Sequence, residues 1–346
     1  MKLLDMNVQE LTDFVKSIGL PTYRATQLFQ GFAQGKSIKE ISNISKDLKV
    51  KLEEYGLGGV NIHEKLISKD GTRKYLFALE DGNIVEGVLM QYKYGNTVCI
   101  STQVGCAMGC TFCASTLGGK VRDLTPGEML SEVLCVNRDA IQSGIGKLSN
   151  IVLMGSGEPL DNMDNVLKFF ELVNCPEGIN IGMRNISLST CGLVDKIYKL
   201  AELRLGITLS ISLHAPNDEI RKQTMPIAKR YSIQELVSAA REYVKQTGRR
   251  VIFEYTLIKG VNDSTENATE LSKLLKGMQC HVNLIPLNSV KERNLSASAA
   301  NNVSMFERKL KELGTSCSVR REMGSDISGA CGQLRRRYLE KGVVSI

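Results

Sequence analysis

Cys106-Ala-Met-Gly-Cys110-Thr-Phe-Cys113 sets three thiols in a Cys-x3-Cys-x2-Cys array. Three such cysteines can ligate three irons of a 4Fe–4S cluster and leave the fourth iron without a protein ligand. Cubanes built for electron transfer usually take four cysteines. An array of three therefore leaves an open coordination position where a substrate or cofactor can bind. Gly105 and Gly109 let the backbone turn tightly round a bulky inorganic group. The competing readings are a structural zinc site or three unrelated thiols. Zinc sites pair Cys-x2–4-Cys with a second, distant pair of ligands. No His lies near this array, and the chain has 3 in all.

Other chemistry-bearing groups follow strand-like runs. In Met154-Gly155-Ser156-Gly157-Glu158-Pro159-Leu160 the glycines permit close backbone approach to a ligand, and Glu158 can accept from an ammonium or a ribose hydroxyl. Alone, the segment also fits a tight strand-to-helix turn. Ser189, Ser212, His214 and Asn288 end three further runs. Read singly they are caps, turn residues or a structural histidine. Polar groups ending successive strands converge on one pocket. The tail holds Cys331 among glycines and near Arg320, Arg321, Arg335, Arg336 and Arg337. Positive charge favours a reactive thiolate, whereas an isolated cysteine is more commonly buried and inert. Cys99, in the first strand-like run, is the candidate partner thiol. Cys135, Cys175, Cys280 and Cys317 read as structural.

The elements that must position these groups show in the hydrophobic pattern. Residues 1–60 have helical spacing: Val8, Leu11, Phe14, Val15, then Ala25, Leu28, Phe29, Phe32, then Leu48, Val50, Leu52, Tyr55. Residues 61–95 switch to strand period, with runs at 74–80 and 84–90 joined by Asp81-Gly82-Asn83, a hairpin signal. Strand-like runs then appear at 97–102, 150–155, 185–190, 206–213, 250–258 and 281–287, separated by helical stretches such as 126–142, 162–174, 232–247 and 264–276. Thr125-Pro126-Gly127-Glu128 offers a capping box with Pro at the first helical position. Six βα repeats predict an α/β fold with a parallel sheet, open or curled into a partial barrel. In a barrel the site lies at the C-terminal strand ends, where the cysteines and the Gly157-Glu158 segment fall.

A chain of 346 residues is long enough for a large core and a small accessory domain. No apolar run approaches the roughly 20 residues that span a bilayer, and the N-terminus lacks an apolar signal core. Dispersed cysteines without an export signal predict reduced thiols or metal ligands in a cytoplasmic protein. The net charge of +7 is modest; the basic tail attracts polyphosphate backbones, although such clusters are often solvated faces.

The array resembles the radical S-adenosylmethionine (SAM) superfamily, and Gly157-Glu158-Pro159 resembles the segment by which those enzymes hold the methionine amino group. Val98 to Cys106, the array itself, Gly157 to Leu160, Ser212 to Asp218, Gly260 to Ser264 and Ala330 to Leu334 together are similar to the bacterial dual-specificity RNA adenine C2-methyltransferases. The resemblance covers nearly the whole chain. It implies a partial (β/α)6 radical SAM barrel over 96–316, a helical RNA-contacting module at 1–60, a β-hairpin extension at 61–95 and a C-terminal segment at 317–346.

The resemblance also implies roles. Cys106, Cys110 and Cys113 would hold one 4Fe–4S cluster, and Gly157, Glu158, Ser189, Ser212, Leu213, His214 and Asn288 would contact SAM. One SAM methylates Cys331; a second is cleaved at the cluster to a radical that activates the Cys331 methyl for addition to carbon 2 of adenine. Cys99 then forms a disulfide with Cys331 and releases the base, and Glu86 is the proton acceptor. Two SAM are consumed per methylation. The implied substrates are an adenosine in 23S rRNA at the peptidyl-transferase centre and adenosine 37 of tRNA, with a one-electron reductant such as flavodoxin, no membrane partner, and a monomer as the default. A sister group that methylates carbon 8 uses the same cysteines. Pro159 and Pro286-Leu287-Asn288 resemble the carbon-2 group instead. A non-catalytic RNA-binding protein with an iron–sulfur or zinc site is the other alternative.

Overall fold

The computed structural model describes residues 2–288 and 294–327. Cys331 lies outside the described residues.

Helices α1 (Val8–Ser17), α2 (Tyr23–Ala33) and α3 (Lys46–Tyr55) open the chain where the apolar spacing predicts. Asn7 and Glu10 start α1 with reciprocal side-chain-to-backbone bonds, both 2.8 Å. Leu11, Val15, Leu28, Phe32 and Leu52 belong to one apolar core that runs on into the rest of the protein. Asp5 accepts from the Gly127 N–H at 2.9 Å, fastening the N-terminus to the helix after the cysteine loop.

Strands β1 (Val60–Ile67), β2 (Arg73–Leu79), β3 (Ile84–Tyr92) and β4 (Gly95–Ile100) form an antiparallel run. Gly82, at φ +83°, makes the predicted β2–β3 turn. β1 has no counterpart in the sequence reading: after Val60 its residues are mostly exposed and polar, so no apolar run marks it. Strands β5 (Gln103–Gly105) and β6 (Lys120–Asp123) pair as a separate hairpin that brackets the cysteine loop.

Helix and strand then alternate: α4 (Pro126–Gln142), β7 (Leu148–Leu153), α5 (Met163–Asn174), β8 (Ile186–Thr190), α6 (Val194–Glu202), β9 (Thr208–Ser212), α7 (Asp218–Thr224), α8 (Ile233–Thr247), β10 (Val251–Leu257), α9 (Thr265–Leu275), β11 (Cys280–Pro286), α10 (Ala300–Glu312) and β12 (Cys317–Val319). The capping box of α4 is present, with Pro126 in its first turn. Ten strands make one mixed sheet in the order β1-β2-β3-β4-β7-β8-β9-β10-β11-β12. β4 and β7 to β11 are the six expected strands, parallel and in sequence order, as in a partial barrel. Ile151, Leu153, Leu188, Leu209, Phe253, Val282 and Leu284 are fully buried apolar residues of these strands, and between them stand polar or half-buried ones such as Ser189 and Asn283. The short β12 extends the parallel run. No helix among the described residues is long and apolar enough to cross a membrane.

The two edges of the sheet are tied together. Past β12, Met323 packs against Val88, Met90 and Cys99 on β3 and β4. The Gly324 N–H then donates to Asp70 at 2.9 Å, the Lys69 N–H donates to Asp326 at 3.2 Å, and Ser68 Oγ bonds Asp326. The turn between β1 and β2 thus clasps the chain leaving β12.

Candidate active site

The C-terminal ends of the parallel strands form the rim of an open cleft. Cys106, Cys110 and Cys113 line it together with Gly157, Glu158, Ser189, Ser212 and His214.

Local backbone chemistry holds the cysteine loop. Gly105 has φ +79°, and a Cβ there would lie 1.9 Å from the Gly119 carbonyl, so only glycine fits. The Cys106 N–H donates to that same carbonyl at 2.9 Å, closing the loop. The Thr111 N–H donates to the Thr224 carbonyl at the end of α7. The Phe112 ring meets the His214 ring edge-on, centroids 4.7 Å apart.

Cys106 and Cys110 are buried, and burial drives their thiols up, Cys106 to about 12, with neighbouring thiols adding to the effect. Such sulfurs become ligands when a metal supplies the positive charge that the thiolates need. No group of three or more His, Cys, Asp or Glu among the described residues forms a mononuclear metal site. Three thiols in one cavity wall, which among the described residues do not form a mononuclear metal site, suit a polynuclear iron–sulfur group better than a zinc ion.

The Gly155–Glu158 turn is bonded to the segment that precedes the cysteines. The N–H groups of Thr102 and Gln103 both donate to the Ser156 carbonyl, at 2.8 and 3.1 Å, and Glu158 N–H donates to Gln103 Oε1 at 2.8 Å. Gly157 has φ +109°, with Gln103 against the place of its missing Cβ. Glu158 is buried, which raises its carboxyl; N–H groups of Cys191 (2.7 Å) and Leu160 (3.1 Å) act the other way. A buried carboxylate in a cleft fits a ligand ammonium, which would supply the opposite charge. His214 lines the cleft with its Nδ1 accepting from the Thr256 N–H at 2.9 Å.

Other expected residues lie elsewhere. The Leu213 side chain is fully buried and does not line the cleft; its N–H donates to the Glu254 carbonyl at 3.1 Å. Asn288 is exposed beyond the end of β11. Cys99 is buried on the inner face of β4, opposite Val88 and packed with Met154 of the cleft wall. Glu86 is no surface carboxylate: it is 4% exposed, on the same face of β3 as Val88, and paired with Lys74.

The cleft also contains Glu254, Thr256, Met225, Ile285 and Arg320, which sequence reasoning missed. Glu254 had a signal. It stands between Phe253 and Tyr255 in an otherwise apolar buried strand, where a carboxylate is expensive. Asn283 donates to it at 2.9 Å.

Comparison with known proteins agrees with this geometry. The family model for the radical SAM superfamily matches residues 100–271, and that for the ribosomal RNA large subunit methyltransferase N-terminal domain matches residues 1–56. The chain is 53% identical over 344 residues to a probable dual-specificity RNA methyltransferase RlmN of Thermoanaerobacter sp. (strain X514), covering 98% of this chain and 99% of that one. It is 53% identical over 341 residues to the protein of that name from Alkaliphilus metalliredigens, covering 98% and 96%. A crystal structure of a radical SAM methyltransferase from Sphaerobacter thermophilus superposes with a TM-score of 0.93 at 42% identity, covering 96% of this chain and 98% of that one. The chain therefore belongs to the dual-specificity RNA methyltransferase RlmN family, SAM-dependent RNA methyltransferases of the radical SAM superfamily.

Proposed function

We propose that this enzyme methylates carbon 2 of a specific adenosine in 23S rRNA and of adenosine 37 in tRNA. The observation that carries the reading is the shared cleft: three cysteine thiols face Gly157, Glu158, Ser189, Ser212 and His214 across one cavity, with Cys99 one layer behind its wall.

Membership of the superfamily implies a 4Fe–4S cluster and SAM. When bound, they supply one-electron cleavage of SAM. Cys106, Cys110 and Cys113 would hold the cluster. Glu158 would receive the SAM ammonium, and the hydroxyls of Ser189 and Ser212 its remaining polar groups.

Carbon 2 of adenine is electron-poor, so direct polar transfer of a methyl cation to it fails. A cysteine carrier divides the reaction into easier steps. Cys331 takes the methyl as a thioether, and once a hydrogen atom is drawn from that methyl its carbon would bond to carbon 2 of the base. Cys99 then attacks the Cys331 sulfur, forming an S–S bond as the carbon–sulfur bond breaks; the electron pair stays with the base-bound carbon, which takes a proton and becomes the methyl group of the released base. A two-electron reduction restores both thiols. Glu86 takes the proton lost from carbon 2. Two placements support these roles: Cys99 and Glu86 share the inner face of the β3–β4 pair, and Met323, eight residues before Cys331 in sequence, packs on that face.

Residues 1–60 form the RNA-contacting module in this reading, 61–95 an extension, 96–316 the barrel and 317–346 the carrier segment. The protein acts as a monomer reduced by a flavodoxin-type donor. The target base must be unstacked to reach the cleft.

The test is anaerobic. Reconstituted protein, SAM, reductant and unmodified 23S rRNA or tRNA are incubated, digested to nucleosides and analysed by mass spectrometry. 2-Methyladenosine is expected. 8-Methyladenosine, or no methylated adenosine from protein shown to hold its cluster, overturns the reading.

A further inference from the structure

Arg221, on α7, has a fully buried side chain. Its Nε donates to the Leu213 carbonyl at 3.2 Å, and one Nη donates to the carbonyls of Cys191 (2.7 Å) and Ser212 (3.3 Å). These carbonyls end β8 and β9, so the guanidinium staples two strand ends of the rim. The other Nη has no hydrogen-bond partner among the described residues; Asp218, on the same helix, is the carboxylate whose charge favours the guanidinium, and among the described residues the two form no ion pair. Neutral carbonyls do not cancel a full charge. Burying a guanidinium without an ion-pair partner is costly unless another negative group balances it.

Cys191, whose carbonyl accepts from Arg221, lines the same cleft as Cys106, Cys110 and Cys113, so the guanidinium sits directly behind that part of the wall, and its charge favours the thiolates of Cys110 and Cys191. α7 also abuts the cysteine loop through the bond from Thr111 N–H to the Thr224 carbonyl, and Gly109 faces Pro226 just beyond the helix. A fixed cation behind these thiols is balanced once they carry an anionic metal group. Each electron such a group accepts adds one more negative charge at the same place. Net charge and the surrounding field are among the factors that set iron–sulfur potentials.

We propose that Arg221 is a positioning residue that supplies the fixed positive charge behind Cys110 and so stabilises the reduced state of the cluster. This rests on the reading that Cys106, Cys110 and Cys113 hold a 4Fe–4S group. One electron enters from the external donor, and no bond forms or breaks at Arg221.

The test compares wild type, Arg221→Lys and Arg221→Met, each reconstituted anaerobically and assayed for iron. All are poised at the potential where the wild-type cluster is half reduced, and the reduced cluster is read by electron paramagnetic resonance. Arg221→Met is expected to show a reduced-to-oxidised ratio about tenfold lower, a shift of about 59 mV for one electron. Arg221→Lys, which keeps the charge, stays within about twofold of wild type. An iron-replete Arg221→Met with an unchanged ratio overturns the proposal. Loss of iron in the Met variant alone, with Lys holding a wild-type cluster, supports it. Loss of iron in both assigns Arg221 to the strand-end bonds alone and overturns it. A wild type that holds no four-iron cluster sinks the underlying cluster reading instead.

Discussion

Lys74 Nζ lies 3.1 Å from Glu86 Oε2 on the adjacent strands β2 and β3, with 0% and 4% of the two side chains exposed. An ion pair taken out of water loses hydration that its mutual attraction only partly restores. The pair is therefore weak evidence for stability and better evidence for a role at the inner face, where Cys99 also lies.

Lys74→Met and Glu86→Leu should each lower stability by about 3 kcal/mol, since each removes the opposite charge beside a buried one. The double variant should lose about 1–3 kcal/mol less than their sum. Urea unfolding of the four proteins measures this, and strict additivity would refute the coupling. Glu86→Gln keeps the shape and should slow methylation by about 10²–10⁴-fold if the carboxylate accepts the proton.

If Cys106, Cys110 and Cys113 are the cluster ligands, removal of any one should strip the metal site. Cys106→Ala, Cys110→Ala and Cys113→Ala are each expected to lose most of the iron and all detectable methylation after anaerobic reconstitution. Cys175→Ala, a partly exposed thiol outside the cleft, should keep both. Iron analysis and visible absorbance decide it; a Cys113→Ala protein with full iron contradicts the ligand set.

His214 makes stability fall with acid. Burial, aided by the charge of Arg221, holds its pKa down at about 3. The unfolded imidazole takes its proton near 6.5. Between these values the unfolded chain binds a proton that the folded one refuses. The contribution is thus complete above pH 6.5 and lost as pH falls toward 3, at about 1.4 kcal/mol per pH unit. His214→Asn retains an acceptor for Thr256 and tolerates the φ of +53°. From pH 6.5 to 5, metal-free wild type should lose about 2 kcal/mol more than His214→Asn. Matching slopes in urea titrations would contradict the assignment.

The clasp between the β1–β2 turn and residues 324–326 fixes the chain five residues before Cys331. Asp70→Ala combined with Asp326→Ala removes its side-chain acceptors. Methylation should drop severalfold while iron content and SAM affinity, read by calorimetry, hold. An unchanged rate would mean the clasp does not guide the carrier segment.

Much of this protein is legible in one dimension. The cysteine array, the capped start of α4, the six parallel strands and the Gly157-Glu158 turn depend on residues close in sequence, where spacing, glycine conformation and hydrophobic period act directly. β1 was not legible, because an exposed polar strand at a sheet edge leaves no apolar run. What only the tertiary structure decided is which distant residues meet. Glu254 enters the cleft because the register of β10 sets it beside Ser212 and Asn283 on neighbouring strands. Arg221 reaches three carbonyls because α7 folds back under the ends of β8 and β9. Met323 meets Cys99, 224 positions earlier, only because the two edges of the sheet are tied together. Local propensity sets the elements, whereas these meetings depend on strand order, register and closure, which belong to the folded chain as a whole.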